Sequence, residues 1–378
     1  MFLKRIGIVG VLCMISTIVV AQDVKAGSQL QAAYKAEGSL QLETSRNLFI
    51  EVTVNDTATE EEQCKALRAL AVQDWKFYKD YDAAIKKVLL ADSIGDYRSE
   101  TWIVAHRIEL EAGHYTKAME AAKKSMGIAA SNADKVYAQH KYCKAVLEQA
   151  LFHMDSNIEL DSVLLKEASS MLQEVLVINP THVNAAETLL GISLLRKDGN
   201  MALKGWLSYY RFSDIDSVYE YLKEPAIHIE KVLSKWNTTP LTHQEKIALV
   251  KALGDSRFYT YAKITAQLFI KNGNNTIKNN EEIQHIIAFS TYLETIKECT
   301  DEYYRKMTLK EGSTGDYMSF LTSESESLYN AIAVSQKGKD TFNLRELRNL
   351  IRSRFGTFSL LGRTSSSPIF GLVMGQVV

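Results

Sequence analysis

Two stretches, "YDAAIKKVLLADS" from Tyr81 and "YTKAMEAAKKSMG" from Tyr115, superpose with Tyr81 on Tyr115, Ala84 on Ala118 and Val88 on Ala122, each step 34 residues. A recurrence in residue size as well as in period is the mark of one supersecondary unit stacked on copies of itself. The small alanines would let neighbouring antiparallel helices approach closely. A third stretch, "ASSMLQEVLVINPTH", sets Ala168, Leu172, Val175 and Pro180 at relative offsets 0, 4, 7 and 12.

The chain around these stretches reads as helix. Only 4 prolines occur in 378 residues, which permits long helical runs. Residues 60–77 carry Leu67, Leu70, Ala71 and Trp75 on one face, and the acids and Thr of "NDTATEEEQ" supply a helix start. Only "YKD" separates this helix from the one at Tyr81, and "AGH", with Gly113 as a C-cap, joins residues 100–112 to 115–127. Just ahead of them, "SLQLETSRNLFIEVTVND" alternates, with Leu48, Ile50, Val52 and Val54 at period two, and predicts a short strand.

These residues resemble the tetratricopeptide repeat, a 34-residue helix–turn–helix. Trp102, Tyr115, Ala118, Ala122, Ala84, Val88, Ala168, Leu172, Pro180 and the pair Leu190–Gly191 match its pattern. Ala105–His106 stands where the family has Leu-Gly, and "FHMDSNIELDSVL" is inserted in the third unit. The resemblance covers about residues 60–225. It implies a mainly α superhelix whose inner wall is built from the first helix of each pair. Carrying over the family's groove-facing positions, with Ala84 and Ala118 as the reference, gives Gln73, Lys76 and Phe77 in one unit and Ile103, Arg107, Leu110 and Glu111 in the next. The same faces could instead be covered by the N-terminal segment or by the C-terminal helices.

The start of the chain predicts export. Lys4 and Arg5 precede an apolar run from Ile6 to Val20, and Val19 and Ala21 fit a small-residue cleavage site before Gln22. That run is shorter than the ~20 residues of a spanning helix. Leu12 before Cys13 is unlike a lipidation site. The expected product is soluble and periplasmic or secreted. With a net charge of −1, no global field attracts nucleic acid or anionic membrane. The expected organisation is a signal peptide (1–21), a β-containing segment (22–59), the repeats (60–225), further helices (226–340), and an amphipathic helix with a strand-like tail (341–378).

No reaction is written in the sequence. Cys64, Cys143 and Cys299 are too far apart for a CxxC pattern and read as small buried residues. His140 and Cys143 share a helix face, but no further ligand stands nearby, so no metal or other cofactor is expected. Nucleotide-binding glycine motifs and the GxSxG nucleophile motif are absent. Arg345, Arg348, Arg352 and Arg354 form a basic stripe that reads as a solvated face. The expected function is therefore non-enzymatic: a scaffold that binds a protein or peptide in its groove. The alternatives are the helical part of an exported hydrolase whose catalytic domain follows Val378, and a glycan-binding outer-membrane protein.

Overall fold

The computed structural model describes residues 26–291 apart from 40, 96–97, 213–222, 237, 257 and 288, together with Glu294, Arg305 and Leu309. The expected signal peptide, Cys299, the arginine stripe and the expected strand-like tail lie outside the described residues. The chain divides into two compact units after Leu241.

The first unit is a succession of helix pairs: α1 (Ala26–Gly38) with α2 (Leu42–Val54), α3 (Glu60–Gln73) with α4 (Tyr81–Ile94), α5 (Ser99–Glu111) with α6 (Tyr115–Gly127), α7 (Asn132–Asp155) with α8 (Ser162–Ile178), and α9 (Val183–Leu195) with α10 (Gly199–Phe212). A further helix, α11 (Lys223–Trp236), packs on α10. The fold is mainly α, a tetratricopeptide-like helical repeat, with no strand among the described residues.

The alanine spacing explains how the pairs close. Ala84, Ala118 and Ala168 are fully buried, and so is Ala202, a further 34 residues beyond Ala168. A methyl group is the largest side chain that such close crossings tolerate. Around Ala84, residues Ala71, Trp75, Val88, Trp102, Ala105, Ile108 and Ala121 make one apolar core spanning α3 to α6. Helix α9 has no polar side at all; Ala185 through Leu195 are buried with the exception of half-buried Glu187. Such a helix needs neighbours on all sides, and it has them in α7, α8 and α10.

Helix ends follow local chemistry. Thr59 caps α3, accepting from the Glu62 amide while Glu62 accepts from the Thr59 amide. Gly113, with φ of 77°, turns the chain between α5 and α6. The insertion of the third unit is largely absorbed as helix: α7 runs 24 residues, against 13 for α5.

The N-terminal strand is a correction. Residues 42–54 are helix α2, with Leu42, Ser45, Phe49 and Val52 buried and Ile50 and Val54 exposed. Their spacing of three, four and three residues is helical. Phe49 and Val52 fill a core with Leu30 and Ala33 of α1 and Ala66, Ala69 and Leu70 of α3, so packing overrides the β propensity of the segment.

The second unit contains α12 (His243–Asp255), α13 (Tyr259–Lys271) and the short α14 (Asn275–Lys278), followed by a helical stretch at 281–287. Thr242 and Glu245 form a second capping box. Ala262 and Ala266 are both fully buried, and Tyr259 meets Phe289 edge-on at 5.0 Å or less, the ring centroids being 4.9 Å apart.

Candidate functional site

Each first helix of the first unit also packs on the next first helix: α1 on α3, α3 on α5, α5 on α7, and α7 on α9. Successive second helices approach one another less closely among the described residues. The first helices therefore form a continuous wall, and the closer spacing on their side makes that wall the inner one.

The residues read from the sequence as groove contacts divide into two groups. Gln73 and Ile103 are buried. Gln73 donates its amide to Glu37 (3.2 Å) and Ser45 (3.1 Å), tying α3 to the α1–α2 pair, so it is a packing residue and not a groove contact. Ile103 is likewise closed off in the interior. Phe77 and Leu110 are half-buried, whereas Lys76, Arg107 and Glu111 are exposed. Glu111 accepts from the Trp75 indole at 2.8 Å and from Lys79 at 2.6 Å.

Counting positions along α3 fails locally because the helix ends in a π turn, Asp74–Tyr78. A π turn inserts a residue and rotates everything after it. Asp74, only 2% exposed, is held there by Arg46 of α2 (2.7 Å) and Lys87 of α4. The Lys76 ammonium lies 5.5 Å from the Trp75 ring centre.

Arg107 belongs to a cluster of charge on the wall. Its guanidinium donates to the Tyr137 hydroxyl at 2.7 Å, and the Lys141 ammonium lies 4.9 Å from the centre of the same ring. Burial pushes the Tyr137 phenol up, but Lys141 and Arg107 together bring it below the ordinary tyrosine value. Neither Arg107 nor Lys141 pairs with a carboxylate among the described residues. Sequence counting stopped one unit short of this cluster. Lys141 stands 34 residues after Arg107, and Tyr137 the same distance after Ile103, so the period itself would have found them.

A second feature of the wall is a cleft of about 650 Å³ among α1, α3 and the start of α5, lined by Leu30, Tyr34, Glu62, Lys65, Arg68 and Arg98. Its cations are already engaged. Lys65 and Arg98 both bind Glu61 at 2.7 Å, holding that carboxyl below the usual range, and Arg68 donates to Thr101. Lys65 and Arg98 thus have a carboxylate partner, unlike Arg107 and Lys141.

Below that cluster lie three histidines, His106 of α5, His140 of α7 and His182 at the start of α9, with the His140 and His182 ring centres 4.8 Å apart. Cys143 is buried in α7, where its thiol donates to the Ala168 carbonyl of α8 at 3.4 Å and burial pushes its pKa up. No group of three or more metal-ligating side chains occurs among the described residues.

Among solved structures the chain is similar to the tetratricopeptide domain of P58(IPK), at 14% identity, over 85% of this chain and 83% of that one, with a TM-score of 0.27. So loose a superposition carries no residue correspondence, and the repeat architecture rests on the helix pairs themselves. No family model matches the sequence, and comparison with curated proteins finds no significant relative.

Proposed function

We propose that this chain is an exported, non-enzymatic scaffold that binds a polypeptide on its first-helix wall, at Arg107, Tyr137 and Lys141. The observation that carries the reading is the convergence of two cations on one phenol with no carboxylate among the described residues to neutralise them. An acidic stretch of a partner would complete the cluster, each carboxylate accepting charge-assisted hydrogen bonds. Half-buried Phe77 and Leu110 and the exposed face of Tyr137 provide apolar surface beside it. Export is supported by Lys4, Arg5 and the apolar run that ends at Ala21.

The test is site-specific photocrosslinking in the native cell envelope, with the reactive group at Tyr137 and, as control, at Lys117 on α6. A partner should be captured from position 137 and not from 117. The double variant Arg107→Glu/Lys141→Glu should weaken its binding by about tenfold or more, with much reduced salt dependence. Unchanged capture by the double variant would refute the assignment.

A further inference from the structure

His106, His140 and His182 occupy three successive steps of the first-helix wall, and the hydrogen bonds around them fix which nitrogen of each carries a proton. Thr188 donates its only hydroxyl hydrogen to the Asn184 carbonyl (2.8 Å). The contact between Thr188 Oγ1 and His140 Nε2 (3.3 Å) therefore uses a proton on the imidazole. His140 Nδ1 is then a bare acceptor, and it is buried without a partner. His106 Nδ1 faces the Ala118 carbonyl at 3.0 Å and must donate to it. His182 Nδ1 accepts from the Ala185 amide at 3.2 Å, capping α9, which an imidazolium cannot do.

We propose that these three imidazoles are an acid-sensitive latch, tying α5 to α6, α7 to α9 and capping α9 while neutral, and releasing this seam when protonated. Burial and the surrounding cations penalise the charged form, outweighing the Ala118 carbonyl that favours it at His106. Protonating His140 puts an N–H with no acceptor into the interior, and protonating His182 removes the cap of α9. The groups that face His140 add to the penalty. His106 comes from α5, Lys141 and Lys144 from α7 itself, and His182 from the start of α9, while Arg107 and Lys141 act on His106. From α6 the facing group is the Ala118 carbonyl, already bound to His106. On α8, Glu167 is turned onto Tyr142, and on α7 Glu148 holds Lys144. On α9, Glu187 acts on Tyr209, and among the described residues no carboxylate acts on any of the three imidazoles.

Burial is the first cause that depresses each of these groups, to about 4 for His106 and about 3 for His140, with His182 lowered as well. For a histidine whose folded value is depressed, stability is complete above its ordinary 6.5 and is lost as pH falls from there toward the folded value. From about pH 7.5 to about pH 5, His106 and His140 together should raise the population of the opened seam on the order of a thousandfold. Because Arg107 and Lys141 lie on this seam, acid would also release a bound acidic partner; that consequence, unlike the latch, rests on the proposed function.

The experiment is amide hydrogen exchange on the free full chain at the two pH values, corrected for intrinsic exchange rates, so that no partner is involved. Protection in α7 and the first turns of α9 should fall by up to the thousandfold computed from the two histidines, while α1–α3 change far less. The variant His106→Asn/His140→Gln/His182→Asn keeps each donor or acceptor without its titration and should abolish the difference. Equal pH dependence in variant and wild type would overturn the latch. Nitrogen-resolved NMR of the wild-type imidazoles gives a second reading that needs no variant. Neutral rings that charge only as the seam opens support the latch, whereas titration near 6.5 with protection intact overturns it.

Discussion

Replacing Gly205 by alanine tests the packing on which the whole first unit depends. Gly205 lies in α10, and a Cβ built on it would stand 2.7 Å from the Leu190 amide nitrogen, 3.0 Å from the Ala186 carbonyl oxygen and 3.1 Å from Leu190 Cα. All three are backbone atoms of α9, so no flexible side chain can swing aside. Ordinary contact begins at 3.4 Å, and the two helices would have to separate by about 0.7 Å. The surroundings resist that shift, because Ala186, Leu189, Leu190, Ala202 and Trp206 are at most 1% exposed. Overpacking of this kind costs about 1–3 kcal/mol, against which alanine's better helix propensity returns up to about 1 kcal/mol. The expected net loss is about 1–2 kcal/mol. Hydrogen exchange in α9 and α10 is the assay of choice, since repeat arrays need not unfold in one step. Gly127→Ala is the control: nothing lies within 4 Å of its built Cβ, and it should be neutral or stabilising. Should Gly205→Ala behave like Gly127→Ala, the close backbone approach of α9 and α10 would be wrong.

Two further substitutions probe the polar joints of the array. Asp74→Ala leaves Arg46 and Lys87 without their shared carboxylate inside the α2–α4 packing and should cost about 3 kcal/mol in a denaturant titration, more than an exposed ion pair would. Thr59→Ala removes the capping box of α3 and should cost about 1 kcal/mol, read as faster exchange confined to the first turn of that helix.

Much of this molecule was legible because its periodic residues do local jobs. Ala84, Ala118 and Ala168 are small wherever two helices of a pair cross, Thr59 and Glu62 announce a helix start, and Gly113 supplies a turn with positive φ. Such roles depend on backbone geometry within a few residues and leave their pattern in the chain. Helix α2 was illegible for the opposite reason. Its alternating Leu48, Ile50, Val52 and Val54 suit a strand, and only the core supplied by α1 and α3 selects the Leu42, Phe49 and Val52 face instead.

The candidate site divides along the same line. The sequence by itself determined the repeat, its first helices and the presence of Arg107 upon one of them. Tertiary structure decided the rest. It put Gln73 and Ile103 inside, rotated the end of α3 through a π turn around buried Asp74, and brought Lys141 beside Arg107. It also gathered buried His106 and His140 and half-buried His182 along one seam. Burial, tautomer and the presence or absence of a counter-charge are properties of neighbours supplied by other helices, and a linear chain records the residue types without recording who faces whom.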